Sequence, residues 1–272
     1  MRDFAAMARE IRRKLLQMHA KANASHIASS FSCVEILIAL YFSILRIFPE
    51  DPNHLRRDRF ILSKGHAASA LYATLAMRDL IPMTWLDRYH LDGSNLPGHP
   101  DRLLTPFCEA STGSLGHGLP MAVGMAYALK LNNNASRTFV LMSDGEIQEG
   151  SVWEAANAGS RLHLDNLIAI IDANGWQAYE RTDQIMPIHT FKSKWKAFGW
   201  SVREVDGHHI RKMINVLERV PFRMEKPSIL IAHTTKGKGI EEFENKLEWH
   251  YRSPRQEDLE TYLKELDEKS LR

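Results

Sequence analysis

At 272 residues, 44% of them hydrophobic, the chain is long enough to bury a substantial core as one large domain, and length alone also allows two. A formal net charge of +2 against 25% charged residues excludes the basic footprint of nucleic-acid binding, and two cysteines, Cys33 and Cys108, are too few for a disulfide scaffold. The start of the chain mixes charge into helical periodicity instead of forming a secretory signal, and the most apolar run, Val34 to Phe48, contains Glu35 and Arg46 and is too short for a bilayer, so a soluble, cytoplasmic protein is expected.

Met7, Ile11, Leu15 and Met18 recur at helical spacing and predict an amphipathic helix from Arg2 to Ala22. The polar run Lys21 to His26 breaks it, and Ser32 through Leu45 reads as a nearly all-apolar helix, buried or facing another subunit. Arg59 to Ser63 reads as a short buried strand turning through Lys64-Gly-His-Ala67 into a helix from Ala68 to Leu80. A loop, Asn95 to Asp101, carries His99, and a glycine-rich loop, Ser111 to Gly118, leads into a helix from Leu119 to Leu131. That loop matches neither a dinucleotide fingerprint nor a Walker sequence. Further on come a polar loop (Ala178 to Ile188), a short helix (Phe191 to Phe198) and a strand (Trp200 to Val205). An amphipathic helix (Ile210 to Val220), a buried strand (Ser228 to Ala232) and a charged tail helix (Asp258 to Leu271, in a tail of about 254–270) complete the pattern. Strands alternating with helices predict an α/β fold, a doubly wound, mostly parallel sheet with helices on both faces, in a single domain over 1–272.

The most informative stretch is Thr138 to Gln177. One apolar run, Phe139 to Met142, ends at Ser143-Asp144-Gly145; a second, Leu167 to Ile171, ends at Asp172-Ala173-Asn174. In a parallel sheet both strand ends open on one edge, so Asp144 and Asn174 reach one point although thirty positions separate them. Their oxygens suit a hard cation such as magnesium, completed by water and phosphate oxygens, and Gly145 offers an unobstructed backbone N–H to a phosphate. Read alone, Asp-Gly after a strand is an ordinary turn, His26 a cap on a carbonyl, and His99 a solvated loop residue.

Jointly, Ser63-Lys-Gly-His-Ala67, Pro97-Gly-His-Pro-Asp101, Ser111-Thr-Gly-Ser-Leu-Gly-His-Gly118, the Asp144…Asn174 unit with Glu149 and Glu154, and Lys236-Gly-Lys-Gly239 with Glu248-Trp-His250 resemble the amino-terminal, diphosphate-binding half of a transketolase; Lys21 to His26 resembles that family's first histidine segment. The resemblance implies the thiamine-diphosphate-binding fold. It implies magnesium (or calcium or manganese) on Asp144, Asn174 and the Trp176 carbonyl, with Gly145, His66 and His250 by the diphosphate. Gly113, Ser114, Leu115 and Gly118 would line the aminopyrimidine side, and His26, His66, His99 and His250 would project over the thiazolium as proton-handling groups. Glu149 and Glu154 are implied as subunit-interface acids, Glu149 also touching the cofactor and serving catalysis.

In full-length members, a second domain supplies the glutamate that activates the aminopyrimidine, together with acceptor-phosphate arginines. The resemblance therefore implies one subunit of a split transketolase, inactive alone. It would pair with a separately encoded carboxy-terminal subunit in a two-plus-two heterotetramer and move a two-carbon ketol unit from a ketose (phosphate) to an aldose (phosphate). Acyl transfer from a 2-oxoacid on the same cofactor, or a non-catalytic regulatory role, are the alternatives. The departures are Ser143 for the usual glycine, Ala173 for a larger residue, Trp176 and Ala178 for aliphatics, Tyr179-Glu180 for Asp-Gly, His117 for Gln and His209 for Asp; the Ser143 hydroxyl is expected to bond the adjoining turn.

Overall fold

The computed structural model describes residues 3–185 and 187–269. Helix α1 (Phe4–Ala22) starts where Asp3 accepts the Ala6 N–H at 2.9 Å and stops at Asn23, which turns left-handed at φ 47°. Its expected start at Arg2, and the expected end of the tail helix at Leu271, lie outside the described residues.

The single apolar helix expected over Ser32 to Leu45 is a broken one. Helix α2 (Ile27–Ser32) begins straight after His26, Cys33 leaves helical geometry, and α3 (Val34–Ala39) runs into a π turn, Leu40–Ile44. The break has a polar cause: the Ser32 hydroxyl reaches both the Ser29 carbonyl and the Asp172 carboxylate, a back-bonding that bends helices. Apolar periodicity carries no trace of it.

Five strands, β1 (Arg59–Leu62), β2 (Thr138–Ser143), β3 (Leu167–Ala173), β4 (Ser201–Asp206) and β5 (Ser228–His233), form one sheet in the order β1-β2-β3-β5-β4, parallel at every pairing. Between them come α4 (Ala68–Met77), α5 (Gly118–Leu131), α6 (Gly150–Arg161), the one-turn α7 (Thr182–Ile185), α8 (Phe191–Ala197) and α9 (Ile210–Leu217), with α10 (Leu259–Lys269) after the sheet. The expected polar loop over Ala178 to Ile188 thus contains a helical turn.

Pleating sends alternate side chains to opposite faces. Ile168, Ile170, Phe139 and Leu141 join a core with α1, α3, α4 and α9, whereas Ala169, Ile171, Val140 and Met142 join a second core with α5, α6 and α8. All residues of β2 and β3 are buried, as strands covered on both faces must be. Removing a fully buried isoleucine such as Ile170 down to alanine costs about 2–5 kcal/mol, so these two strands make a rigid base. The register sets Ser143 opposite Asp172 and Ala173 opposite His233, which brings the carboxyl ends of β2, β3 and β5 to one edge. Among the described residues no helix is long and apolar enough to cross a membrane.

Candidate functional site

At that edge opens a cleft of about 370 Å³ whose wall includes His26, His66, His99, His250, Gly145 and Asn174. Beneath it the ends of β2 and β3 present two buried carboxylates. Asp172 is matched: the buried Lys64 ammonium pairs with it, and the hydroxyls of Ser32 and Thr234 donate to it. Burial alone would push this carboxyl up, but Lys64 and those hydroxyls outweigh it and leave Asp172 below the ordinary carboxylate range. Asp144 is not matched. Among the described residues its oxygens accept only the amides of Gly145 (2.9 Å) and Gly175 (2.7 Å) and the Thr182 hydroxyl (3.0 Å). Burial first, and the neighbouring Asp172 charge second, push it up to about 7.

Asn174 Oδ1 accepts the Trp176 N–H at 3.0 Å, which fixes the amide beside Asp144's strand. The Trp176–Arg181 bridge closes a tight hairpin, with the Gln177 N–H donating to the Glu180 carbonyl at 2.9 Å and the Thr182 N–H to the Gly175 carbonyl at 2.9 Å. This hairpin sets Trp176 and the 65% exposed Tyr179 on the cleft wall.

The four histidines converge. The His26 ring lies 4.9 Å from His250, 5.5 Å from His66 and 6.4 Å from His99, centroid to centroid. His26 sits at φ 71°, in the left-handed region, immediately before α2, with its backbone N–H held by the His250 carbonyl at 3.0 Å. Its Nδ1 is buried without a hydrogen-bond partner among the described residues. Burial drives His26 down to about 4 and His250 to about 3, with Lys236, Lys64 and a neighbouring histidine adding to the fall, and burial, then Lys64 and the other three histidines, take His66 well below its ordinary value. The cluster is therefore neutral at pH 7, each ring carrying one donor and one acceptor nitrogen. Lys236 lies 3.2 Å from His250 Nδ1 and donates to the Gln177 carbonyl at 3.1 Å; burial lowers it to about 8.

Other expected residues are placed less simply. Gly113 and Leu115 line the cleft, but Ser114 is exposed outside its wall, and Gly118 is buried away from it, its amide donating to Ser63 Oγ at 3.1 Å. A Cβ at Gly118 would meet Ser63 Oγ at 2.1 Å, so this glycine serves close packing between α5 and the β1 turn. The Gly145 amide expected to face a phosphate donates to Asp144 Oδ1 instead. Glu149 stands exposed on the cleft rim, and Glu154 is exposed on α6. Ser143 Oγ accepts the Glu146 N–H at 3.3 Å, the turn contact expected of it. His209 caps α9 by accepting the Lys212 N–H, and His117 is exposed.

Sequence reasoning passed over Glu146, Lys64, Asp172, Lys236 and Thr182. Buried Glu146 accepts from Ser63 Oγ, Gly116 N and Ser143 N, tying the β1 turn, the glycine-rich loop and the β2 end together. The available signal was a charge at the end of an otherwise apolar strand, as at Lys64 and Asp172.

These donors suit a hard cation. Among the described residues no three His, Cys, Asp or Glu side chains gather as metal ligands, so a cation at Asp144 and Asn174 needs oxygens from a bound anion as well. A carboxylate pushed up by burial and hydrogen-bonded to no cation among the described residues is what such an ion relieves. A larger cavity of about 750 Å³ lies by α1 and the His208–Ile210 turn, but its charged core is internally paired: Glu35 holds Arg12 at 2.6 Å and His208 at 3.0 Å, and these partners outweigh burial to hold Glu35 at about 2.

The family model described as transketolase, thiamine diphosphate binding domain, matches residues 5–267. A Phocaeicola vulgatus protein, named as one of the subunits of an apulose-4-phosphate transketolase, is 42% identical over 258 residues, covering 95% of this chain and 92% of its own length. A 6-deoxy-6-sulfo-D-fructose transketolase subunit of a Clostridium species is 39% identical, covering 91% and 90%. The solved transketolase from Leishmania mexicana superposes with a TM-score of 0.88 at 26% identity, over 100% of this chain but 42% of that one. The chain thus spans nearly all of the subunit-length relatives and about two-fifths of the long one. It belongs to the transketolase family, corresponding to the part that binds thiamine diphosphate.

Proposed function

We propose that this chain is the diphosphate-binding subunit of a two-component transketolase. In this reading a divalent cation, magnesium first, is held by Asp144, Asn174 and the Trp176 carbonyl and ties down the diphosphate of thiamine diphosphate. The observation that carries the reading is the unmatched Asp144 carboxylate beside Asn174 under a cleft walled by four neutral histidines. When bound, thiamine diphosphate supplies the nucleophilic carbon that cleaves a ketose next to its carbonyl.

The chain's own residues bind, orient and move protons. Lys236, cationic below about pH 8, favours the cofactor's anionic end; His66 and His250 stand beside it. His26, His66, His99 and His250 hold sugar hydroxyls through N–H donors and lone pairs, and a neutral ring nitrogen takes up and returns the hydroxyl proton as the carbon–carbon bond breaks and re-forms. Glu149 at the rim meets the partner subunit, and Gly113 and Leu115 flank the cofactor's ring. The two subunit relatives are named for ketoses with a phosphate or a sulfonate, so the proposed donor is a ketose with an anionic terminus. The remaining ring pocket comes from a separately encoded partner in a two-plus-two assembly.

The test is calorimetric titration of thiamine diphosphate with magnesium into this chain, with and without the partner subunit. Tight, magnesium-dependent binding in the mixture, lost in Asp144→Ala, is expected; absence of binding in both samples overturns the proposal.

A further inference from the structure

A neutral imidazole carries one donor and one acceptor nitrogen, and the partner of either one decides which is which. His250 has such a partner inside the chain: its Nδ1 lies 3.2 Å from Lys236 Nζ. A lysine ammonium has three donors and no acceptor, so at this contact the lysine donates and Nδ1 accepts. Lys236 is 1% exposed and, lowered by burial to about 8, is mainly cationic at pH 7. A second of its protons goes to the Gln177 carbonyl at 3.1 Å, which leaves one for a ligand.

Each group is anchored independently of the other. The Gly237 N–H donates to the Ala28 carbonyl at 2.9 Å and the Asn245 N–H to the Lys236 carbonyl at 3.0 Å, which fixes the backbone around the lysine. His250 ends the short turn Leu247–His250, its carbonyl accepts the His26 N–H, and the adjoining buried Trp249 packs against Phe243 at 4.0 Å between ring centroids. The contact between Nζ and Nδ1 is therefore imposed by two separately held segments.

We infer that Lys236 is a positioning residue that fixes His250 in the Nε2–H tautomer and so makes this ring a hydrogen-bond donor, not a base, toward a ligand in the cleft. The inference deepens the proposed function and rests on it. With Nδ1 engaged by the ammonium, Nε2 is the nitrogen left for the cleft, and it already carries the ring's proton. A second proton would set an imidazolium against the lysine charge in a buried place, and burial and Lys236 hold His250 at about 3. His26 differs, because its Nδ1 has no hydrogen-bond partner among the described residues. The four rings are thus unequal: His250 offers an N–H, and uptake of a sugar hydroxyl proton falls to His26, His66 or His99.

The test is the long-range proton–nitrogen imidazole spectrum of the full chain, labelled at histidine and ligand-free at pH 7, alone and with its partner subunit. The His250 signals are those lost in His250→Gln. The wild type should show His250 wholly in the Nε2–H form, with its Nδ1 resonance moved upfield by the accepted hydrogen bond. Lys236→Met keeps the length and removes the donors; it should lose that shift and bring in the Nδ1–H form. Lys236→Arg keeps donors and should keep the wild-type pattern. A lysine with a merely structural role would leave the tautomer unchanged in both variants. A wild-type ring in the Nδ1–H form or in both forms, or a Lys236→Met ring identical to the wild type, overturns the inference. Should Lys236→Met fail to fold, the wild-type Nδ1 shift decides alone, its absence overturning the contact. The spectrum needs no cofactor, so its failure stays distinct from failure of the proposed function, which the titration of thiamine diphosphate with magnesium reads.

Discussion

The two carboxylates at the ends of β2 and β3 share a strand edge and nearly complete burial, yet they are opposite solutions to one problem. Asp172 carries its own counter-charge, Lys64, and two hydroxyl donors, and it titrates low. Asp144 is hydrogen-bonded by dipoles alone among the described residues, and the more distant Lys64 charge does not offset burial and Asp172, which leave it at about 7. A buried ion that is matched within the chain is architecture; one left half-matched holds a place for something that arrives later. The difference lies in the partners, because exposure is the same for both.

The harshest way to break the comparison is to strip the matched side. Lys64→Met leaves Asp172 buried and unpaired, and denaturant unfolding should show a loss of about 3–5 kcal/mol. The reverse change should do the opposite. Asp144→Asn removes an uncomfortable charge, so the ligand-free chain should be as stable as the wild type or more so at pH 7, while cofactor binding is lost.

The pH dependence sharpens this. The folded value of Asp144, about 7, lies above an unfolded value of about 3.9. Its contribution to stability is therefore complete at low pH and declines as pH rises to 7. Thermal unfolding of the ligand-free wild type should show that decline, and Asp144→Asn should flatten it. A ligand-free wild type that gains stability across this window relative to the variant would contradict the assignment.

Lys236 extends the contrast to a second buried lysine, one without a carboxylate partner in hydrogen-bond contact. Because burial lowers it to about 8, thiamine diphosphate affinity should weaken several-fold as pH passes from 7 to 9, and Lys236→Arg, charged throughout, should lose that slope. The smallest effect concerns His26. Asn tolerates its left-handed backbone, so His26→Asn should remove activity with little change in melting temperature; His26→Val should cost about 1 kcal/mol more.

The sheet and the Asp144…Asn174 pair were legible because apolar runs ending in oxygen-bearing side chains are a local signal. The four histidines were not legible one by one, since each stands in or beside a loop where a solvated histidine is ordinary; only their joint resemblance placed them together. Lys64 and Asp172 stood inside segments singled out for other residues, and periodicity says nothing about which buried charges meet. The break at Cys33 escaped because its cause, Ser32 reaching Asp172, spans 140 positions. Thr182 escaped in the same way: in a polar loop a threonine has no visible partner, and its partner lies 38 positions back.

The β1 turn and the glycine-rich loop touch backbone to backbone. A Cβ on Gly65 would stand 2.8 Å from the Gly113 nitrogen and the Thr112 carbonyl carbon. At this contact there is no room for a Cβ on Gly65, so substitution of that glycine offers no graded way to reshape the cleft. Retuning of this chain toward a new sugar is expected first at Ala178 and the 65% exposed Tyr179, on the hairpin that lines the cleft. Directed evolution of this chain's share of the specificity should therefore accumulate changes on that hairpin before it touches the Gly65–Gly113 contact.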